Sequence, residues 1–355
     1  MNPEFWRGKR VFITGHSGFK GGWLALWLTE LGAEVVGYAL DPPTNPNFFT
    51  LTRLTERLAD HHLQDVRDAP ALHRTLIAAA PDIVFHLAAQ PLVREAYQMP
   101  VETFATNVMG TVNLLEAVRH SASVRAVVLV TSDKCYQNQD WLWPYRETDP
   151  LGGHDPYASS KACAELVTAA YRHSFLTAAG IAVASVRAGN VIGGGDWAAD
   201  RLVPDFFRAL DAGKTLFIRS PNAIRPWQHV LDPIAGYLQL AEHLYNEAGA
   251  NYAEAWNFGP AETDAQSVAW LMDRLGAKCP EACWRCDLAP QPHETAILKV
   301  DSTKARMRLG WQPRWDLNTA LDRTLAWHQE WRQAADMQQF SLAQIAAHQT
   351  ADSLC

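Results

Sequence analysis

Short apolar runs alternate with longer, helix-length stretches through the first half of the chain. "RVFITG" (10–15), "EVVGYAL" (34–40), "PDIVFHLAA" (81–89) and "RAVVLVTS" (125–132) are β-branched and almost continuously apolar, as strands buried on both faces are. Between them, "GFKGGWLALWLTELG" and "TFATNVMGTVNLLEAVRH" are long enough for helices, the first closing at Gly32. "AELVTAAYRHSF" continues the series as a helix and "IAVASVRAGNVIG" as a strand. Strands alternating with helices predict an α/β fold with a doubly wound parallel sheet. After Gly189 the pattern loosens into Gly-, Pro- and Trp-rich segments before the helical "DPIAGYLQLAEHLYN". This predicts a dinucleotide-binding domain over 1–188 and 229–258, an interleaved, smaller substrate-binding lobe over 189–228 and 259–335, and a C-terminal tail over 336–355.

Composition narrows the class. With 48% hydrophobic and 19% charged residues, the 355-residue chain can build globular cores, and a net charge of -7 argues against non-specific nucleic-acid binding. No apolar run is long enough to span a membrane, and no leader sequence is evident, so a cytoplasmic protein is expected. Cys135 and Cys163 fall at a strand end and in a helix, which suits a reducing compartment. Cys279, Cys283 and Cys286 bring three thiols together, and His293 could complete a set, but a loop with free thiols is the better reading and no metal is expected.

Between the first strand and helix, Gly15-x-x-Gly18-x-x-Gly21 has the context a phosphate loop requires. Glycines permit the tight turn, and the helix N-terminus offers free amides to a pyrophosphate. Ser17 and Phe19 belong to the same loop. Asp41, after the second strand, either accepts a ribose hydroxyl, favouring NAD, or is a turn residue of "DPP". Asp65 and Val66 are placed to flank the adenine, and Leu87, Ala88 and Ala89 to line the cofactor channel.

Tyr157 and Lys161 are four apart, so a helix places them on one face, where an ammonium would favour a phenolate. The strand-end "TSDKC" adds Ser132, Asp133 and Lys134. A surface ion pair is the ordinary reading of Asp133–Lys134 in isolation. Beside a dinucleotide loop and a Tyr–Lys pair, two extra titratable groups suggest proton chemistry beyond simple alcohol oxidation.

The T-G-x-x-G-F-x-G loop, Ser132, Tyr157-x-x-x-Lys161 and "RAGNVIGGGDW" together resemble the extended short-chain dehydrogenase/reductase superfamily over most of the chain. That resemblance implies a Rossmann-like fold and NAD. Among its nucleotide-sugar-modifying members, "GHSGFKG", "YALDPPT", "TSDKCY" and "DPLGGHDPYASSKACAE" look most like the CDP-glucose 4,6-dehydratases of deoxysugar (O-antigen type) synthesis. The cytidine comes from this resemblance alone. It implies that Tyr157 takes the 4-hydroxyl proton, oriented by Ser132, that Asp133 is a protonated acid toward the C6 hydroxyl and that Lys134 handles the C5 proton. The similar dTDP-glucose enzymes carry Glu at the Lys134 position. Lys134 is either a neutral base or a charged enolate stabiliser paired with Asp133, and the sequence leaves both open.

Gln90, Asn190, Arg201, Arg225, His229, His293 and Glu294 are candidate nucleotide-sugar ligands, the two arginines as diphosphate clamps. Trp197 and Trp227 either stack on a base or pack. By analogy with related enzymes, the helices of 103–119 and 159–175 either pair across a homodimer or higher homo-oligomer or pack on their own sheet. A nucleotide-sugar 4-epimerase and a non-catalytic dinucleotide sensor are the competing readings; Asp133 and Lys134 argue against the first, Tyr157 and Lys161 against the second.

Overall fold

A computed structural model describes residues 2–287, 289 and 295–351. Seven strands form one sheet: β1 (Arg10–Thr14), β2 (Glu34–Ala39), β3 (Asp60–Leu63), β4 (Ile83–His86), β5 (Ala126–Val130), β6 (Ala182–Ala188) and a last strand, Ala255–Phe258. Their order is β3-β2-β1-β4-β5-β6-last, all parallel. The order reverses between β1 and β4, and a crevice opens there at the carboxyl ends of the strands.

The continuous apolar runs have their physical reason in this architecture, because β1, β2, β4, β5 and β6 each feed two cores. Val11 and Ile13 face one core with Val128, while Phe12 faces the other with Val127 and Leu129. The expected helices form at Phe19–Glu30, Gly110–Arg119, Pro156–Tyr171 and Leu231–Tyr245. Two of these stretches contain a wider π turn, Ala105–Met109 before one helix and Arg172–Leu176 after another. A third core beneath the loop-rich region gathers Phe206, Trp227, Leu271 and Leu321.

The C-terminal stretch is a helix, Met337–Thr350, anchored by buried polar contacts. His348 Nε2 meets Asp232 Oδ1 at 2.9 Å, Ser341 accepts from Trp327 Nε1 at 2.9 Å, and Gln338 donates to the Thr52 carbonyl.

One buried network joins the sheet to the Pro156–Tyr171 helix. Arg187 on β6 donates through Nη2 to Glu165 Oε2 at 2.8 Å and through Nε to Oε1 at 3.0 Å, with both side chains 3% exposed. Thr131 and Ser185 donate to the same carboxylate. Arg187 Nη1 also donates to Tyr136, whose hydroxyl donates to Asn257. The stretch 131–136 is therefore pinned at both ends. Replacing Arg187 with Met strands the Glu165 charge, and urea denaturation is expected to show a loss of about 3–5 kcal/mol; a change below ~1 kcal/mol would contradict this view of the network.

Candidate active site

The glycine loop is built by close backbone contact. Gly15 has φ +79°, and a Cβ there would lie 2.7 Å from the Ala88 nitrogen. A Cβ on Gly21 would sit 2.0 Å from the Gly15 carbonyl. Gly18 caps the Phe19–Glu30 helix without a side chain, so the first amides face the crevice. Ser17 donates to the Leu40 carbonyl at 2.7 Å and ties the loop to the end of β2. Thr14 Oγ1 accepts the amides of Leu87 and Ala88, joining β1 to β4 where the strand order reverses.

Above the loop lies a cavity of about 1210 Å³. Gly15, Ser17, Gly18, Phe19, Gly21, Asp41, Asp65, Val66, Leu87, Ala88 and Ala89 all line it. So do Ser132, Asp133, Lys134, Tyr157, Lys161, Gln90, Asn190, Arg201 and Arg225. Its size exceeds that of a usual single-ligand site and leaves room for two extended ligands side by side.

At one part of its wall four titratable groups converge. The 3₁₀ turn Asp133–Cys135 begins directly after β5, with Ser132 Oγ accepting the Lys134 amide at 3.1 Å. Ser132 also donates to Asp133 Oδ1 at 3.1 Å, and its hydroxyl favours the ionised form of Tyr157. Asp133 is 3% exposed, and its Oδ2 has no hydrogen-bond partner among the described residues. Burial raises the Asp133 pKa, outweighing the pull of Lys134, Ser132, Arg225 and Lys20 toward the carboxylate.

Tyr157 and Lys161 share a helix face, but their electrostatics depart from the expected phenolate. Burial pushes Tyr157 up to about 12, with Ser132 and Arg201 opposing and Asp133 reinforcing. The Lys161 ammonium donates to the Val130 carbonyl at 3.4 Å. Burial brings Lys161 down to about 8, and Glu165, one turn further along the helix, opposes that fall.

Other expected ligands divide. Arg201 faces the Tyr157 end of the cavity and is paired with Asp196 at 2.9 Å, a cation seated near the reacting groups. Arg225 is buried, donating to the Ile224 carbonyl at 2.9 Å. Gln90 lines the cavity, but its amide is engaged by Leu92 and Thr103. Asp65 lines the cavity with its carboxylate paired to Arg67 at 2.6 Å. His229 must be corrected: it is fully buried outside the cavity, between Trp23 and Trp315, because its loop turns inward to start the Leu231–Tyr245 helix. Trp227 and Trp197 pack as structural groups, the first donating to the Gln266 carbonyl and the second against Trp327 and Trp331, though both border the cavity. His293 and Glu294 lie outside the described residues.

Lys20 was not singled out from the sequence, because it falls inside the glycine motif. It lines the cavity, donates to the Tyr237 hydroxyl at 3.4 Å, and is brought down to about 7 by burial and by Arg201 and Lys161. Among the described residues no group of His, Cys, Asp and Glu side chains is arranged to hold a metal.

The family model described as GDP-mannose 4,6 dehydratase matches residues 12–324. The chain belongs to this 4,6-dehydratase family. A family member from Salmonella typhimurium, a CDP-glucose 4,6-dehydratase, is 51% identical over 99% of both chains. A solved UDP-glucose 4-epimerase from Stenotrophomonas maltophila, with bound NAD, covers 92% of this chain and 100% of its own at TM-score 0.79 and 22% identity, a likeness of fold. A solved NAD-dependent NDP-hexosamine 5,6-dehydratase of tunicamycin biosynthesis covers 93% and 99% at TM-score 0.76 and 25% identity.

In the glycine loop an added carbon has no room at Gly15 or Gly21, whereas at Gly18 it would make an ordinary contact. Gly21→Ala is expected to cost at least ~1–3 kcal/mol by overpacking. Gly276→Ala, where a Cβ meets nothing within 4 Å on the Val268–Lys278 helix, is expected to gain ~0.5–1 kcal/mol. Urea midpoints measure both, and equal midpoints would contradict the close contact at Gly21.

Proposed function

We propose that this protein is an NAD-dependent 4,6-dehydratase that converts CDP-glucose to CDP-4-keto-6-deoxyglucose, for deoxysugar synthesis of the O-antigen type. The observation that carries the reading is Asp133, a carboxyl sealed from water beside Lys134 and hydrogen-bonded to Ser132, whose hydroxyl favours the ionised form of Tyr157. A 4-epimerase needs the hydroxyl and the phenol only. Removing water across C5 and C6 needs, in addition, a base at C5 and an acid at C6, and a buried carboxyl with a raised pKa is suited to be that acid. The 51% identity to a CDP-glucose 4,6-dehydratase supports the choice of nucleotide.

NAD fits the residues present: the crowded glycines leave a cradle no side chain fills, the helix amides face it, and Asp41 borders the same cavity. When bound, it supplies hydride-accepting and then hydride-returning chemistry, with no net oxidation. Tyr157 takes the 4-hydroxyl proton, with Ser132 and Arg201 pulling the phenol toward ionisation. A ketone at C4 acidifies the C5 proton, which Lys134, a cation beside Asp133 at rest, accepts after giving up its own proton and later returns. Asp133 protonates the departing C6 hydroxyl. Arg201 and Arg225, both bordering the cavity, would hold the diphosphate.

We read the protein as cytoplasmic and homodimeric. No described helix is long and apolar enough to cross a membrane, and five cysteines are free thiols. Val101, Phe104, Met109, Leu166 and Phe175 are exposed apolar residues on the helical segments 100–119 and 156–176, more apolar surface than water favours. Sedimentation is expected to show a dimer, and Val101→Glu with Leu166→Glu a monomer; an unchanged sedimentation coefficient in the double variant would contradict this pairing.

A panel of CDP-, dTDP-, GDP- and UDP-glucose tests the substrate, with the product expected from CDP-glucose lighter by one water. Asp133→Asn is expected to lower dehydration at least ~10²-fold while C4 oxidation persists. Turnover of dTDP-glucose alone would reject the nucleotide, and near-parent dehydration by Asp133→Asn would reject the acid.

A further inference from the structure

Two distant parts of the chain bound the large cavity, and one ion pair joins them across it. Arg94 stands in the short helix Val93–Gln98, just after the stretch 87–90 that lines the cofactor channel. Asp200 stands 106 residues later, in the loop that enters the helix Leu202–Asp211. Arg94 Nη1 donates to Asp200 Oδ1 at 3.0 Å. Both residues line the cavity, yet their side chains are 46% and 40% exposed, which puts the pair at the rim, between the cavity and water.

Each side of the pair is held by contacts of its own. On the cofactor side, Gln90 Nε2 donates to the Leu92 carbonyl at 3.0 Å, and the Gln90 backbone exchanges hydrogen bonds with the Asn107 amide at 2.8 and 3.1 Å. On the other side, Arg201 donates to Asp196 at 2.9 Å, and Arg208 donates to the Trp197 carbonyl at 2.9 Å. Between those anchors Asp200 has φ +59°, in the left-handed region that residues other than glycine enter at a cost. Neighbouring side chains therefore part company: Arg201 goes to Asp196 and Asp200 goes to Arg94.

We propose that the Arg94–Asp200 pair is a latch that closes the rim of the cavity over the bound dinucleotide and slows its escape during turnover. The inference goes beyond the NAD-dependent 4,6-dehydratase reading and rests on it. The proposed reaction takes hydride from C4 and returns it to C6 of the same sugar, so the site must keep the dinucleotide through the intervening loss of water. Escape at that stage would leave a sugar ketone with no hydride to receive. An exposed ion pair suits the task, because it is weak enough to open when the dinucleotide is exchanged. Asp200 also precedes Arg201, one of the two proposed diphosphate clamps, so a substrate drawn to Arg201 bears on the loop that carries the latch.

The test follows release of NADH from the protein by its fluorescence, with excess NAD present to prevent rebinding. Arg94→Gln and Asp200→Asn each remove one charge, and asparagine tolerates the left-handed backbone. Each variant is expected to speed release about two- to fivefold. The double variant is expected to release no faster than either single one, because both changes remove the same contact. Salt at ~1 M is expected to speed release from the parent more than from the variants. Release unchanged in both single variants, or a double variant whose acceleration is the product of the two, would overturn the latch. A parent protein that binds neither NAD nor NADH would instead overturn the reading on which it rests.

Discussion

The site is organised around one desolvation constraint. A carboxyl at 3% exposure, with one oxygen lacking a hydrogen bond, resists ionisation. Asp133 tolerates that position because cations surround it without matching it: Lys134, Arg225 and Lys20 each favour its charge, and burial still prevails. An acid held this way keeps its proton to a higher pH than an exposed aspartate does. The same constraint affects its neighbours. Tyr157 is pushed up and Lys20 and Lys161 are brought down because all share the same closed wall.

Holding such a group requires a rigid frame, and the Glu165–Arg187 pair supplies it. Tyr157, Lys161 and Glu165 recur every fourth residue and form one stripe on their helix. The first two meet the cavity, and the third locks the helix to β5 through Thr131 and to β6 through Arg187. The segment carrying Ser132, Asp133 and Lys134 runs from that lock to Tyr136, which Arg187 also holds. One guanidinium and one carboxylate thus fix the helix and the strand end relative to each other, which keeps Ser132, Asp133 and Tyr157 on one cavity wall.

Much of this was legible in the sequence because it depends on local spacing. The order of strands and helices, the glycine loop and the Tyr157–Lys161 face follow from periodicity and from which residues fit a tight turn. The candidate that proved misplaced depends on distant contacts. His229 sits in a loop rich in Pro and Trp, and only the packing of Trp23 and Trp315 shows that it turns into the core. Charge states were the least legible: four residues between a tyrosine and a lysine suggest mutual influence, whereas burial sets Tyr157, and Lys161 is directed to a backbone carbonyl. Lys20 was hidden by the motif that contains it.

The central claim is that burial holds Asp133 as an acid that gives up its proton at a higher pH than an ordinary aspartate. Carbon-13 NMR of aspartate-labelled protein addresses it directly, with the Asp133 resonance assigned by its loss in Asp133→Asn. The account predicts a carboxyl that stays protonated well above the ordinary aspartate value of about 3.9. A resonance that titrates at or below that value would contradict it.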